Sequence, residues 1–180
     1  FGESTTSAAF VPTYVETLGK DSKKEAFLLG SRILSLIGAV LLVIVIIGMV
    51  ASPLIIKVFA PGFSEIPGKT ELATGLLRLL FPYILFVGCA AILGGILNAH
   101  RHFLAPASAP ILFNVSALAG ILLLSRWLFP DQPVWGYSIG VLFGGFLQLF
   151  IQIPALRKKG FTFNLDFNWK NSKVNKIARL

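Results

Sequence analysis

Few side chains in this 180-residue sequence are equipped for chemistry, and most of those sit inside long apolar stretches. Glu3 stands among Ser4, Thr5, Thr6 and Ser7, shortly before Pro12. A charge at membrane depth costs ~2.5–3.5 kcal/mol or more, so a helix carrying this acid should face protein or a wet cavity rather than lipid. Glu3 and Ser7 are therefore candidates to line a polar cavity. Asn98, Asn114, Gln148 and Gln152 are amides in apolar surroundings. An amide in lipid needs a partner, which is either a neighbouring helix or a solute. Asn114 and Gln148 join Glu3 and Ser7 as cavity candidates. Arg78 is a candidate functional charge, although a position near a helix end also lets it snorkel to the interface. His100 and His102 have no further metal ligands beside them, and Cys89 is the single cysteine, so neither a metal site nor an intrachain disulfide is expected. No nucleophile elbow, phosphate-binding glycine loop or spaced metal-ligand set is present. The sequence points to no catalytic residue and no cofactor.

The elements that must position these residues follow from charge-free runs. Residues 33–56, 79–99, 103–125 and 132–156 contain no Asp, Glu, Lys or Arg and are 24, 21, 23 and 25 residues long. About 20 helical residues cross the ~30 Å hydrocarbon core. Barrel strands are ~10 residues with alternating polarity, whereas these runs are continuous. Hydrophobic residues make up 55% of the chain, charged residues 13%, and the mean hydropathy is +0.78. A soluble domain carries about 25% charged residues. The fold class is thus an all-α polytopic membrane protein.

Along the chain, 1–18 reads as part of a polar helix and Gly19–Arg32 as a charged turn with Asp21 or Ser22 as a cap. Spans are expected at about 33–59, 72–98, 105–129 and 134–156, with outer turns at 60–70 and 130–133. Residues 157–171 form a linker, and 172–180 begin a further helix capped by Ser172. Within the linker, Phe161 to Trp169 alternates apolar and polar, as expected of an extended segment lying along a membrane surface with odd positions buried and even positions wet. Gly136, Gly140 and Gly144 recur every four residues and run on into Gln148 and Gln152. This row suits close helix packing, and a polar cavity lining is the other reading.

The net charge of +8 is a topology signal. With Gly19–Arg32 placed inside, eight basic residues around the first three inner segments stand against four on the outer side. Lys170, Lys173, Lys176 and Arg179 add to the inner count. The positive-inside rule explains this asymmetry, and no nucleic-acid partner is expected.

Phe1-Gly2-Glu3 with Ser7-Ala8-Ala9-Phe10-Val11-Pro12 resembles the second helix of the MurJ/MviN family of lipid II flippases. Phe81-Pro82-Tyr83, Gly94-Gly95-Ile96-Leu97-Asn98, Phe103-Leu104-Ala105-Pro106-Ala107 and Pro110 with Asn114 resemble its fourth and fifth helices. Gly144-Gly145, Gln148-Leu149, Gln152 and Pro154-Ala155-Leu156 are similar to its sixth helix and exit. The resemblance covers nearly the whole chain in order. It implies helices 2–6 of a fourteen-helix protein of the multidrug/oligosaccharidyl-lipid/polysaccharide exporter superfamily: a truncated N-terminal lobe (1–156), the interlobe linker (157–171) and the start of the first C-lobe helix (172–180). By that resemblance the protein would move the undecaprenyl-pyrophosphate-linked peptidoglycan precursor, lipid II, from the inner to the outer leaflet of the bacterial cytoplasmic membrane by alternating access. Its partners would be lipid II, membrane lipids and cell-wall synthesis or division proteins. The stretches where the family carries its cavity arginines lie outside this sequence. An exporter of another polyprenyl-linked oligosaccharide or of drugs, and a non-transporting scaffold for cell-wall enzymes, are the competing readings.

Overall fold

The computed structural model describes the backbone of residues 2–178 and the side chains of residues 10–177. Its elements are α1 (Gly2–Lys20), α2 (Lys23–Phe59), a 3-10 turn (Pro61–Glu65), α3 (Lys69–Ala99), α4 (Leu104–Ala119), a π-helical turn (Gly120–Leu124), α5 (Ser125–Trp127), α6 (Pro133–Phe150), α7 (Gln152–Lys158) and α8 (Ser172–Ala178). There is no strand among the described residues. Four stretches are long and apolar enough to cross a membrane: Lys23–Phe59, Lys69–Ala99, Leu104–Trp127 and Pro133–Lys158.

The charged turn expected over Gly19–Arg32 shrinks to Asp21 and Ser22. Ser22 accepts a hydrogen bond from the Glu25 amide at 3.1 Å, the first half of a Ser-x-x-Glu capping box. Helix α2 therefore begins ten residues before its apolar run. Its 37 residues reach about 55 Å, well past the hydrocarbon. The charges that argued for a turn lie instead on a helical extension that precedes the apolar run.

Helix α3 is central, with α1 and α2 on one flank and α6 on the other, and α6 in turn carries α4. Burial follows from this order. Ile92, Leu93, Ile96 and Leu97 of α3 meet Phe10 and Tyr14 of α1 and Leu29 and Ile33 of α2. The opposite side of α2 leaves Val43, Ile47, Val50 and Leu54 exposed, a surface suited to lipid.

Prolines shape the later helices. Pro154 has no N–H for the Phe150 carbonyl, and the helix is interrupted at Ile151, dividing α6 from α7. At the π-helical turn the Ser125 amide bonds to the Gly120 carbonyl five residues back.

Two C-terminal caps share one geometry. The Phe161 amide bonds to the Leu156 carbonyl and the Gly160 amide to that of Arg157, with Gly160 at φ +87°. At the end of α3, the His102 amide bonds to the Leu97 carbonyl and the Arg101 amide to that of Asn98, with Arg101 at φ +54°. Both are Schellman motifs, and the second places an arginine where glycine costs nothing.

The linker leaves the Gly160 cap as an extended strap on α2. Asp166 accepts two hydrogen bonds from Arg32, at 2.9 Å and 2.6 Å, and its amide donates to Ser35 Oγ. Position 166 is therefore not wet: the two side chains are only 10% (Arg32) and 21% (Asp166) exposed. Of the odd positions Phe161 is buried in the protein, while Phe163, Leu165, Phe167 and Trp169 stand out from it. Asn171, rather than Ser172, supplies the cap of α8, accepting from the Lys173 amide.

Candidate functional site

Gln148, Gln152 and Asn98 line a pocket of about 230 Å³ between α1, α3, α4 and α6–α7. Its walls are small because the sequence places Ala90, Ala91, Gly94 and Gly95 on one side of α3, opposite Pro106, Ala109 and Pro110 of α4. Gln148 and Gln152, four residues apart on successive helical turns, form its polar floor, and Asn98 stands at its rim. Gln148 is 9% exposed and Gln152 only 2%.

Gln152 is held rigidly. Its Nε2 donates to the Ala90 carbonyl at 3.1 Å and to the Gln148 carbonyl at 3.0 Å, which ties α7 to α3. Its Oε1 has no hydrogen-bond partner and is sealed within the protein. An orphaned buried acceptor costs about 1–3 kcal/mol. A Cβ at Gly94 would come within 3.3 Å of that oxygen, a tight contact that glycine avoids. A second acceptor arises from the backbone, because Pro110 has no N–H to offer the Pro106 carbonyl. The pocket thus holds amides and carbonyls but no formal charge. It suits a ligand that donates and accepts hydrogen bonds.

The remaining sequence candidates lie elsewhere. Glu3 and Ser7 fall outside the residues whose side chains are described. Asn114 is exposed on α4, away from the pocket. Arg78 is exposed at the end of the bundle away from the linker, where its Nε donates to the Met49 carbonyl at 3.1 Å. That carbonyl is free because Pro53, four residues on, lacks an N–H. Gly136, Gly140 and Gly144 sit against α4 and its continuation. A Cβ at Gly140 would lie 2.7 Å from the Ser116 carbonyl oxygen and 2.8 Å from Gly120 Cα, one at Gly144 would lie 2.9 Å from Phe113 Cδ2, and one at Gly136 would collide with Ser125. Ser116 Oγ donates to the Gly140 carbonyl at 2.8 Å across the same contact. Among the described residues no group of three or more His, Cys, Asp or Glu could hold a metal ion.

The sequence shows Gln152 as an amide ending the glycine row, but does not mark it as a cavity residue. Its spacing from Gln148 was the available signal, and its bond to Ala90, 62 positions away, was not readable. The linker end of the bundle is likewise built from distant partners. Tyr14 Oη and His100 Nε2 lie 3.1 Å apart, and His100 packs against the Phe27 ring. Burial holds the His100 imidazolium below its ordinary pKa, and Lys23 and Lys159 add to this. Hydrogen bonds from Lys176 and Lys20 bring Glu16 down to about 2. The Arg32 hydrogen bonds lower Asp166. With Lys173 bonded to Asp21, these contacts fasten α8 and the linker to α1 and α2.

Known proteins are similar to this chain over its whole length. The family model described as "Lipid II flippase MurJ" matches residues 1–180. A "Probable lipid II flippase MurJ" of Buchnera aphidicola subsp. Acyrthosiphon pisum is 34% identical over 179 residues, covering 99% of this chain and 35% of the relative. Proteins of the same description from Vibrio cholerae and Haemophilus influenzae are 32% and 31% identical, each over 100% of this chain and 35% and 36% of their own lengths. The chain spans about a third of the curated relatives it matches. With a family match over its full length and four helices long and apolar enough to cross a membrane, the chain belongs to the MurJ family of lipid II flippases.

Proposed function

We propose that this chain forms the N-terminal part of a transporter that carries lipid II from the inner to the outer leaflet of the bacterial cytoplasmic membrane by alternating access. The observation that carries the reading is the uncharged amide pocket walled by glycine, alanine and proline inside membrane-spanning helices of this family. A lipid-linked sugar-peptide headgroup is rich in hydroxyls and amides and cannot cross hydrocarbon unaided. A flippase must replace its water hydrogen bonds step by step. The side-chain amides of Gln148 and Asn98 are disposed to do that without the strong desolvation cost of a charge, with Gln152 holding the floor behind them. Glu3 and Ser7 on α1, and Asn114 on the uncovered face of α4, extend the polar path in this reading. Arg78 serves the helix pair α2–α3. The basic end with the linker lies at the cytoplasmic face, as the positive-inside rule requires. Cell-wall synthesis or division proteins are further partners. The protein performs no covalent chemistry, and the lobe works as a positioned surface.

The test is depletion of the full-length protein in cells lacking any redundant flippase, with lipid II measured separately in each leaflet. Accumulation of precursor in the inner leaflet is expected, rescued by wild type and poorly by Gln152→Leu. Normal arrival of lipid II in the outer leaflet would overturn the proposal and favour a different polyprenyl-linked cargo or a scaffold.

A further inference from the structure

The face of α3 opposite the amide pocket carries a second and larger concavity, of about 910 Å³. On a helix, Leu85, Cys89 and Leu93 point about 170° away from the α3 residues of the polar pocket. Gly38 and Leu42 of α2 form one wall, Cys89 the back, and Leu149 and Ile153 the other wall. The groove extends along α2 from Leu34 to Leu42, about 12 Å. It therefore begins at the basic end and reaches into the charge-free runs. Its flanks, Val43 of α2 and Phe150 of α6, are exposed apolar side chains, so it opens sideways onto hydrocarbon rather than onto water.

Two features at the shallow end indicate what enters. Arg157 lines the rim, and no carboxylate among the described residues lies within ion-pair distance of it, whereas nearby Arg32 is engaged by Asp166. Phe163, Leu165 and Phe167 of the linker complete the rim as exposed apolar side chains, of the kind that seat among headgroups at a membrane surface. The groove is roomy because Gly38 has no side chain. A Cβ there would meet only Cys89 Sγ, at 3.8 Å.

We propose that this groove is a binding site for one acyl chain of an anionic phospholipid from the cytoplasmic leaflet, with the lipid phosphate paired to Arg157. The site is separate from the polar pocket and does not depend on the identity of the transported cargo. An aliphatic chain matches the apolar walls, and the cation at the mouth selects a headgroup with net negative charge over a zwitterionic one.

The experiment uses full-length protein in which any cysteine other than Cys89 is replaced by serine. The delipidated protein in detergent is titrated with phosphatidylglycerol or phosphatidylcholine. Bound lipid is counted by native mass spectrometry, and Cys89 alkylation by a small maleimide is timed in parallel. Phosphatidylglycerol should bind more tightly and slow alkylation. Arg157→Ala should remove the preference, weakening phosphatidylglycerol binding about tenfold. Gly38→Leu should abolish the lipid-dependent protection while the protein retains its thermal stability. Equal affinity for both lipids in wild type, or protection unchanged in both variants, would overturn the proposal. So would a Cys89 that is shielded before any lipid is added, because a segment of the longer chain would then fill the groove.

Discussion

Replacing Gly140 with alanine adds one methyl group at a close approach of two membrane-spanning helices. The new Cβ would lie 2.8 Å from Gly120 Cα and 2.7 Å from the Ser116 carbonyl oxygen, and both neighbours are backbone that no rotamer change can move. Carbon atoms rest at about 3.5–4.0 Å, so α4 must retreat by about 0.7 Å or more. A gap of that size forfeits a quarter to a half of each affected dispersion contact. The hydrogen bond from Ser116 Oγ to the Gly140 carbonyl, now 2.8 Å, would stretch to about 3.5 Å and be lost as a bond. Overpacking costs about 1–3 kcal/mol and a lost hydrogen bond about 1 kcal/mol, so a destabilisation of about 2–4 kcal/mol is expected. Between helices in lipid no hydrophobic term compensates, because the tails are as apolar as the side chains. Gly19→Ala is the matched control, since nothing lies within 4 Å of its Cβ position and alanine favours the helix by up to about 1 kcal/mol. Reversible unfolding of the full-length protein in mixed micelles, followed by tryptophan fluorescence, measures both variants. If Gly140→Ala proved as stable as Gly19→Ala, the glycine row would not set the α4–α6 separation, and the packing argument would fail.

Arg78→Met should cost about 1–2 kcal/mol in the native sequence but almost nothing in a Pro53→Ala background, where the alanine amide satisfies Met49; a double-mutant cycle reads the difference. Arg101→Gly should stabilise by about 0.5–1 kcal/mol, since glycine adopts the left-handed cap freely, and an unchanged or lowered unfolding midpoint would contradict this. Acidification should loosen the Tyr14–His100 contact. Because burial depresses the folded-state pKa of His100, the unfolded chain takes up its proton first, so stability rises with pH through the interval below about 6.5 and falls as pH is lowered through it. Unfolding midpoints at about pH 5 and pH 7.5 should differ more in wild type than in His100→Gln.

The residues divide according to how far apart their partners lie. Ser22 and Glu25 announce a helix start within four positions, so the cap was readable, but the length of α2 was not. The charges of Lys23 to Arg32 suit a solvated helix as well as a turn. The alternation from Phe161 to Trp169 gave no hint that Asp166 would meet Arg32, 134 positions earlier. Arg78 looked like a snorkelling or functional charge because the carbonyl it serves is exposed by a proline on another helix. Gln148 and Gln152 were visible as a pair, whereas their meeting with Gly94 and Ala90 was not.

The sequence by itself determined that four segments cross hydrocarbon as helices. A backbone without water must satisfy its own hydrogen bonds within each segment, and only runs free of charge tolerate that setting. Only the tertiary structure decided which faces meet. When nearly every face of a helix is apolar, hydrophobic patterning no longer distinguishes lipid from protein, and the choice passes to shape: where a glycine admits a backbone, where a proline frees a carbonyl, and which amide is near enough to reach it. The orphaned oxygen of Gln152 is a product of that geometry.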